Sequence, residues 1–175
     1  GMDISGEMLK VMVEDAAKFN ISNLTAVQSD FKNFNPNRVY DVAFSTMSPA
    51  IADEEDFVKF INLGKKRVYL WWNKPRYSSV LELFYEGSEK RCFKEKANFF
   101  EEYLRRENIA FNSCVLEEFR EQKRTLEEMT QNALWHLQIA NFTYDENAVR
   151  SRLESIAQDG YVTEKIVSSM KLLVF

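Results

Sequence analysis

Apolar positions along this chain come in two rhythms. Two short runs, Leu24–Val27 and Val39–Phe44, are nearly unbroken and end in small polar residues. Other segments repeat apolar residues at the spacing of one helical face. The first of these holds Met8, Leu9, Met12, Val13, Ala16 and Ala17. Ser5 is placed to cap a helix starting at Gly6, Glu7 sits in its first turn, and Asn20 and Asn23 mark its exit. Leu24–Gln28 then reads as a strand, 31–38 as a loop with Pro36, and Val39–Ser45 as a second strand. Both strands are apolar without strict alternation, as in a sheet covered on two faces. Met2-Asp3-Ile4 reads as the end of another strand.

The rhythm continues. Asp53 and Asp56 form a capping-box pattern ahead of Phe57, Phe60 and Ile61, and Gly64 closes that helix. Val68–Asn73 is a strand, and 79–86 is a short helix ending at Gly87. A stronger helix spans Phe93 to Glu107, with Phe93, Ala97, Phe100 and Leu104 inward. Glu101–Arg105 and Glu102–Arg106 pair on its outer face. Phe111–Phe119 is a strand. Thr125 and Glu128 open a helix to Ile139, another covers 145–158 before Gly160, and Met170–Phe175 is a last strand. Strands alternating with helices give an α/β fold. The consecutive helices break the alternation, so 123–160 reads as a helical cap inserted into a single domain of 1–175.

Composition narrows the function classes. A length of 175 residues, 45% hydrophobic and 29% charged, suits one globular domain. Fourteen phenylalanines suggest an aromatic core or pocket. The net charge of −4 argues against a nucleic-acid partner. No apolar run reaches the length of a membrane span, and no secretory signal is visible, so the expected setting is cytoplasmic. Cys92, Cys114 and the single His136 are too scattered for a metal site.

The candidate chemistry lies where strands end, because open parallel sheets bind ligands beyond their carboxyl ends. Asp3-Ile4-Ser5 with Glu7-Met8-Leu9, then Ser29-Asp30-Phe31, then Tyr40-Asp41-Val42-Ala43-Phe44-Ser45, resembles the Rossmann-like S-adenosylmethionine-dependent methyltransferases in order and spacing. The resemblance implies a three-layer fold with a mostly parallel sheet, an antiparallel last strand and a helical insertion. It implies S-adenosyl-L-methionine as cofactor. By it, Asp3 accepts from the ribose hydroxyls, Ile4 presses on adenine, Asp30 accepts from the adenine amino group, and Phe31 flanks the ring. Ser45 and Met47 would lie near the methyl donor and acceptor. A structural reading stands beside each role, since Asp3 and Asp30 also suit caps or turns. Asp41 reads as a strand-start residue and Pro49 as a turn residue.

For the acceptor, Trp72, Asn73, Trp135 and His136 are the substrate-binding candidates, with Trp71, Lys74 and Tyr77 nearby. Core packing is the alternative for Trp71 and Trp135, and a structural role for His136. No catalytic residue can be singled out.

One departure is large. The family's first strand and glycine-rich loop precede the ribose acid, and the glycines here stand at 1, 6, 64, 87 and 160. The expectation is a fold truncated at its N-terminus, with impaired cofactor binding. The unpaired strand at 41–45 would then either associate with a second copy as a homodimer or collapse against 24–28. The expected function is methyl transfer to a small-molecule acceptor. The alternative is an inactive methyltransferase-fold module for dimerisation or binding. A nicotinamide-dependent oxidoreductase fits the Ser-Asp-Phe placement less well.

Overall fold

A computed structural model describes residues 1–85 and 93–175. The elements run β1 (Met2–Asp3), α1 (Gly6–Lys18), β2 (Val27–Gln28), β3 (Tyr40–Thr46), α2 (Glu54–Leu63), β4 (Gly64–Trp72) and β5 (Tyr77–Ser78). They continue α3 (Glu82–Tyr85), α4 (Lys96–Arg106), β6 (Asn112–Thr125), α5 (Leu126–Ile139), α6 (Glu146–Glu154) and β7 (Tyr161–Val174). Glu86 and Gly87, where the sequence suggested a helix end, and Cys92 lie outside the described residues.

A five-stranded sheet has the order β3-β4-β7-β5, with β6 pairing β7, and β1 and β2 form a separate parallel pair. β3 runs parallel to β4, and β5 antiparallel to β7. The mixed sheet with helical insertions and an antiparallel last strand matches the α/β expectation.

Backbone contacts divide the chain into two units. The first holds Gly1–Trp71, Asn98–Ser113 and Leu172–Phe175. Its core is aromatic. Phe57 and Phe100 stack at 4.2 Å, and Tyr69 and Phe175 meet the Phe100 ring edge-on at 5.1 and 5.4 Å. The Tyr69 hydroxyl is buried without a hydrogen-bond partner among the described residues, and burial pushes its pKa well above the usual tyrosine range. Asp53 caps α2, its carboxylate accepting from the Asp56 amide at 3.0 Å. Gly64 has an extended backbone and begins β4 directly, so its role differs from a left-handed helix stop. A Cβ there would meet the Ala43 amide nitrogen at 2.7 Å, so glycine permits close approach to β3. The strand expected over Val68–Asn73 therefore starts four residues earlier, at Gly64.

Four expectations for this unit need correction. Leu24–Gln28 is strand only over Val27–Gln28, which pairs with Met2 and Asp3. Val27 donates to the Gly1 carbonyl and Ser29 to the Asp3 carbonyl, which ends the ladder. The collapse of 24–28 onto 40–45 does not occur; β2 lies beside β1, and β3 is terminal in its sheet. Nor is β3 covered on two faces: Ala43 is buried, whereas Val42 and Phe44 are 53% and 68% exposed. The stripe of α1 is also mostly open. Leu9 and Ala16 are buried, while Met8 and Val13 are exposed.

The second unit, Trp72–Ala97 and Cys114–Lys171, has its own core. Val80, Leu81 and Phe84 pack with Met129, Ala133 and Leu137 of α5, Val149 and Leu153 of α6, and Val162. A full capping box starts α5, with the Thr125 hydroxyl accepting from the Glu128 amide and the Glu128 carboxylate accepting from the Thr125 amide. α6 ends at Glu154, short of the 145–158 expected, and Gly160 instead takes a left-handed turn leading into β7. β7 is far longer than Met170–Phe175. Its inward positions Val162, Glu164, Ile166 and Ser168 alternate with exposed ones, and two of the four are polar. Ser78 donates to the buried Glu164 carboxylate at 2.5 Å and accepts from the Leu81 amide at 3.0 Å.

Candidate functional site

In the first unit, a cavity of about 550 Å³ is lined by Met2, Asp3 and Ile4 at the end of β1, by Ser29–Asn33 beyond β2, and by Ser48–Ala50 beyond β3. Three strand ends thus feed one hollow. Asp3, Ile4, Asp30 and Phe31 all line it. Ser45 and Met47 do not; Ser45 stands opposite Tyr69 in the sheet, and Met47 takes a left-handed backbone just before the lining residues. Asp41 is exposed on β3 and pairs with Lys65 at 2.7 Å.

Local bonding sets each carboxylate. Asp3 Oδ1 accepts from the Ser5 amide at 2.8 Å, and Ser5 in turn caps α1 through the Met8 amide at 3.3 Å. Asp3 Oδ2 has no hydrogen bond among the described residues. Asp30 Oδ1 accepts from the Asn33 amide at 2.7 Å, and Oδ2 from Asn33 Nδ2 at 2.6 Å. The Asn33 amide, then its side chain, hold the Asp30 carboxyl below the usual aspartate range. Both acids therefore serve turns, as the structural reading held, while keeping lone pairs for further donors.

The loop is tied to α2 twice. Lys59 donates to the Lys32 carbonyl at 2.7 Å, and Lys32 reaches Asp53 at 3.2 Å. The Lys59 ammonium also lies 5.3 Å over the Phe31 ring. Phe31 is 6% exposed, whereas Ile4 is 71% exposed. The lining thus combines two acids, a buried aromatic ring and a free aliphatic side chain. Such a set suits a ligand with hydrogen-bond donors and a flat apolar body. Sequence reasoning missed Asn33, Ser48 and Ala50 and read Pro49 as a turn residue. The Asp30-x-x-Asn33 spacing of an Asx-type turn was the available signal.

The acceptor candidates fall in the second unit. Asn73 donates to Ser169 Oγ at 3.1 Å, its backbone N–H to the Ser169 carbonyl at 2.8 Å, and Trp72 is half-buried. Tyr77 lies within β5 rather than beyond a strand end. Trp135 is 56% exposed, which corrects the core-packing reading, and meets the His136 ring at 4.8 Å. Neither Trp72, Asn73, Trp135 nor His136 lines the cavity described above. Among the described residues, no group of three or more His, Cys, Asp or Glu could hold a metal ion. No helix among them is long and apolar enough to cross a membrane.

No family model and no curated protein matches the sequence. Solved structures do. YcgJ from Bacillus subtilis matches with a TM-score of 0.52 and 12% identity, over 99% of this chain and 80% of that one. A protein named a type II methyltransferase, from Anaeromyxobacter dehalogenans, matches at 0.52 and 10%, over 99% and 77%. The fold is Rossmann-like, of the methyltransferase type. At such identities the likeness carries the fold and nothing further.

Proposed function

We propose that the cavity between Asp3 and Asp30 binds the adenosine part of S-adenosylmethionine, and that the chain belongs to an enzyme that methylates a small acceptor. The observation that supports this is the convergence of Asp3-Ile4 and Asp30-Phe31, two pairs 27 positions apart in sequence, on one hollow. The residues fit the nucleoside. Asp3 Oδ2 is a free acceptor for a ribose hydroxyl, and Asp30 retains lone pairs for an exocyclic amine. Ile4 offers an apolar face for a purine, and Phe31 forms part of the wall. When bound, the cofactor supplies an activated methyl group. The chain's part is to hold it by the adenosine end and to exclude water beside it. The lining contains no glycine, and Asp3, Ile4, Asp30 and Phe31 address the adenosine end alone.

Calorimetry and thermal shift with S-adenosylhomocysteine test the reading. Binding is expected, weakened about tenfold or more in Asp3→Asn and in Asp30→Asn, which remove a charged acceptor. Absence of both heat and thermal shift at millimolar ligand overturns it.

A second reading rests on β3. Its outer side faces no strand among the described residues, and Val42 and Phe44 are exposed. Antiparallel pairing with a second copy, centred on Ala43, would set Val42 against Phe44 twice on one face. A sedimentation coefficient that rises with concentration in the wild-type chain, and not in Phe44→Ser, supports this module. Concentration-independent monomers refute it.

A further inference from the structure

Asn33 gives both of its donors to one neighbour. Its amide and its side-chain Nδ2 each bind a different oxygen of Asp30, at 2.7 and 2.6 Å. Such a clasp fixes the plane of the carboxylate, because rotation about the Cβ–Cγ bond would break both bonds at once. Both residues line the cavity. The same loop is anchored from α2 by Lys59 at the Lys32 carbonyl, so the clasp stands on a fixed base.

We propose that Asn33 is a positioning residue: it fixes Asp30 as an oriented acceptor on the cavity wall, so that the site selects 6-amino over 6-oxo purines. This rests on the nucleoside reading of the cavity. The selection follows from donor and acceptor complementarity. A fixed carboxylate accepts from an exocyclic amine and repels a carbonyl oxygen at the same place. A carboxylate free to rotate holds the amine less firmly, and one that takes up a proton can present a hydroxyl to that carbonyl, so either change erodes the distinction.

The charged groups around Asp30 are Asp3 on the same cavity, Lys32 on its own loop, and Lys59 and Asp53 from α2. The Asn33 amide is the largest influence holding the Asp30 carboxyl down, its side chain the next, with Lys59 adding attraction through space. Removing the side-chain donor therefore moves the titration upward, towards the ordinary aspartate range. An acceptor in its place moves it further by repulsion.

The test uses the whole chain with carboxyl-labelled aspartate. Proton titration by carbon NMR gives the Asp30 midpoint in the wild type, Asn33→Ala and Asn33→Asp. The midpoint is expected to rise in that order. Adenosine and inosine affinities are measured on the same samples at neutral pH, where Asp30 is ionised throughout and orientation alone changes. The adenosine preference of the wild type is expected to fall about tenfold in Asn33→Ala, the size of one charge-assisted hydrogen bond. An unmoved midpoint in both variants overturns the proposal whatever binds. A moved midpoint with an unchanged adenosine preference overturns the selective role. A midpoint that moves in the variants, with a wild-type protein that binds neither nucleoside, sustains the clasp and brings down the nucleoside reading instead.

Discussion

Helices α1 and α5 carry the same message in sequence and meet different fates. Each has a stripe of apolar residues at helical spacing and a side-chain cap at its start. In α5 the stripe is consumed: Met129, Ala133 and Leu137 are buried against α6, α3 and β7 residues. In α1 the stripe is largely open, with Met8 and Val13 exposed, because the partners of α1 are two strands of two residues each. Periodicity records which face a helix can bury. Whether it does depends on the area offered opposite. The candidate cavity sits in the thinly supported region, on β1 and the loop beyond β2. A site there gains order when ligand binds, because ligation stabilises the folded state by mass action.

The largest expected effect breaks a well-packed region. Phe100→Ala removes the ring that stacks on Phe57 and meets Tyr69 and Phe175 edge-on. Denaturant unfolding should show a loss of about 3–5 kcal/mol. Leu153→Ala, from the other core, should cost about 2–5 kcal/mol. Ser78→Ala ranks next. It leaves the buried Glu164 carboxylate without its donor and the Leu81 amide without its acceptor. The expected cost is about 1–3 kcal/mol. Glu164→Gln should recover part of the loss in the double variant, since a neutral amide is cheaper to bury.

These ranks show what sequence made legible. The caps at Ser5, Asp53 and Thr125 follow from local rules, and each of those side chains accepts from the amide three residues on, as does that of Asp145, which the sequence reading left unnamed. The joint placement of Asp3 and Asp30 was legible too, because strand ends gather in an α/β sheet. The front half of β7 was not. Glu164 and Ser168 occupy inward positions that an alternation rule reserves for apolar residues, and only the partnership with Ser78 explains the acid. The exposure of Val42 and Phe44 was equally hidden, since an apolar strand looks the same whether or not another strand lies beside it. The Asn33 clasp was missed because its two ends were read separately, one as a ligand acid and the other as loop.

The two caps sharpen the contrast with the same chemical change. Thr125→Ala removes half of a capping box on a helix that is locked into a core, so global stability should fall by about 1 kcal/mol. Ser5→Ala removes the cap of a helix with few tertiary contacts. Its effect should be confined to faster amide exchange in the first turn of α1, with the unfolding midpoint nearly unmoved. The Thr125 box also has a pH signature. The Thr125 side chain, then its amide, hold the Glu128 carboxyl below the usual glutamate range. A depressed acid adds stability above its unfolded pKa and loses it as pH falls through the folded one. The difference between wild type and Thr125→Ala should therefore shrink on acidification below the ordinary glutamate range, as read from melting temperatures.

The smallest effect is the most informative about α1. Met8→Gln and Val13→Thr exchange exposed apolar side chains for polar ones of similar size. An exposed side chain has little apolar area left to lose, so each change should stay within about 0.5 kcal/mol. A protein whose α1 face is covered in solution behaves otherwise. There the same substitutions would cost as much as a core change, and the cost would grow with protein concentration, because the covering surface would belong to another chain. Melting Met8→Gln and the wild type across a hundredfold range of concentration, a range that shifts an association equilibrium by about 2.7 kcal/mol, separates the cases. Equal, concentration-independent midpoints mean that the apolar stripe of α1 faces water. A gap that widens with concentration means that the comparison with α5 is one of timing, with the face of α1 buried on assembly rather than on folding.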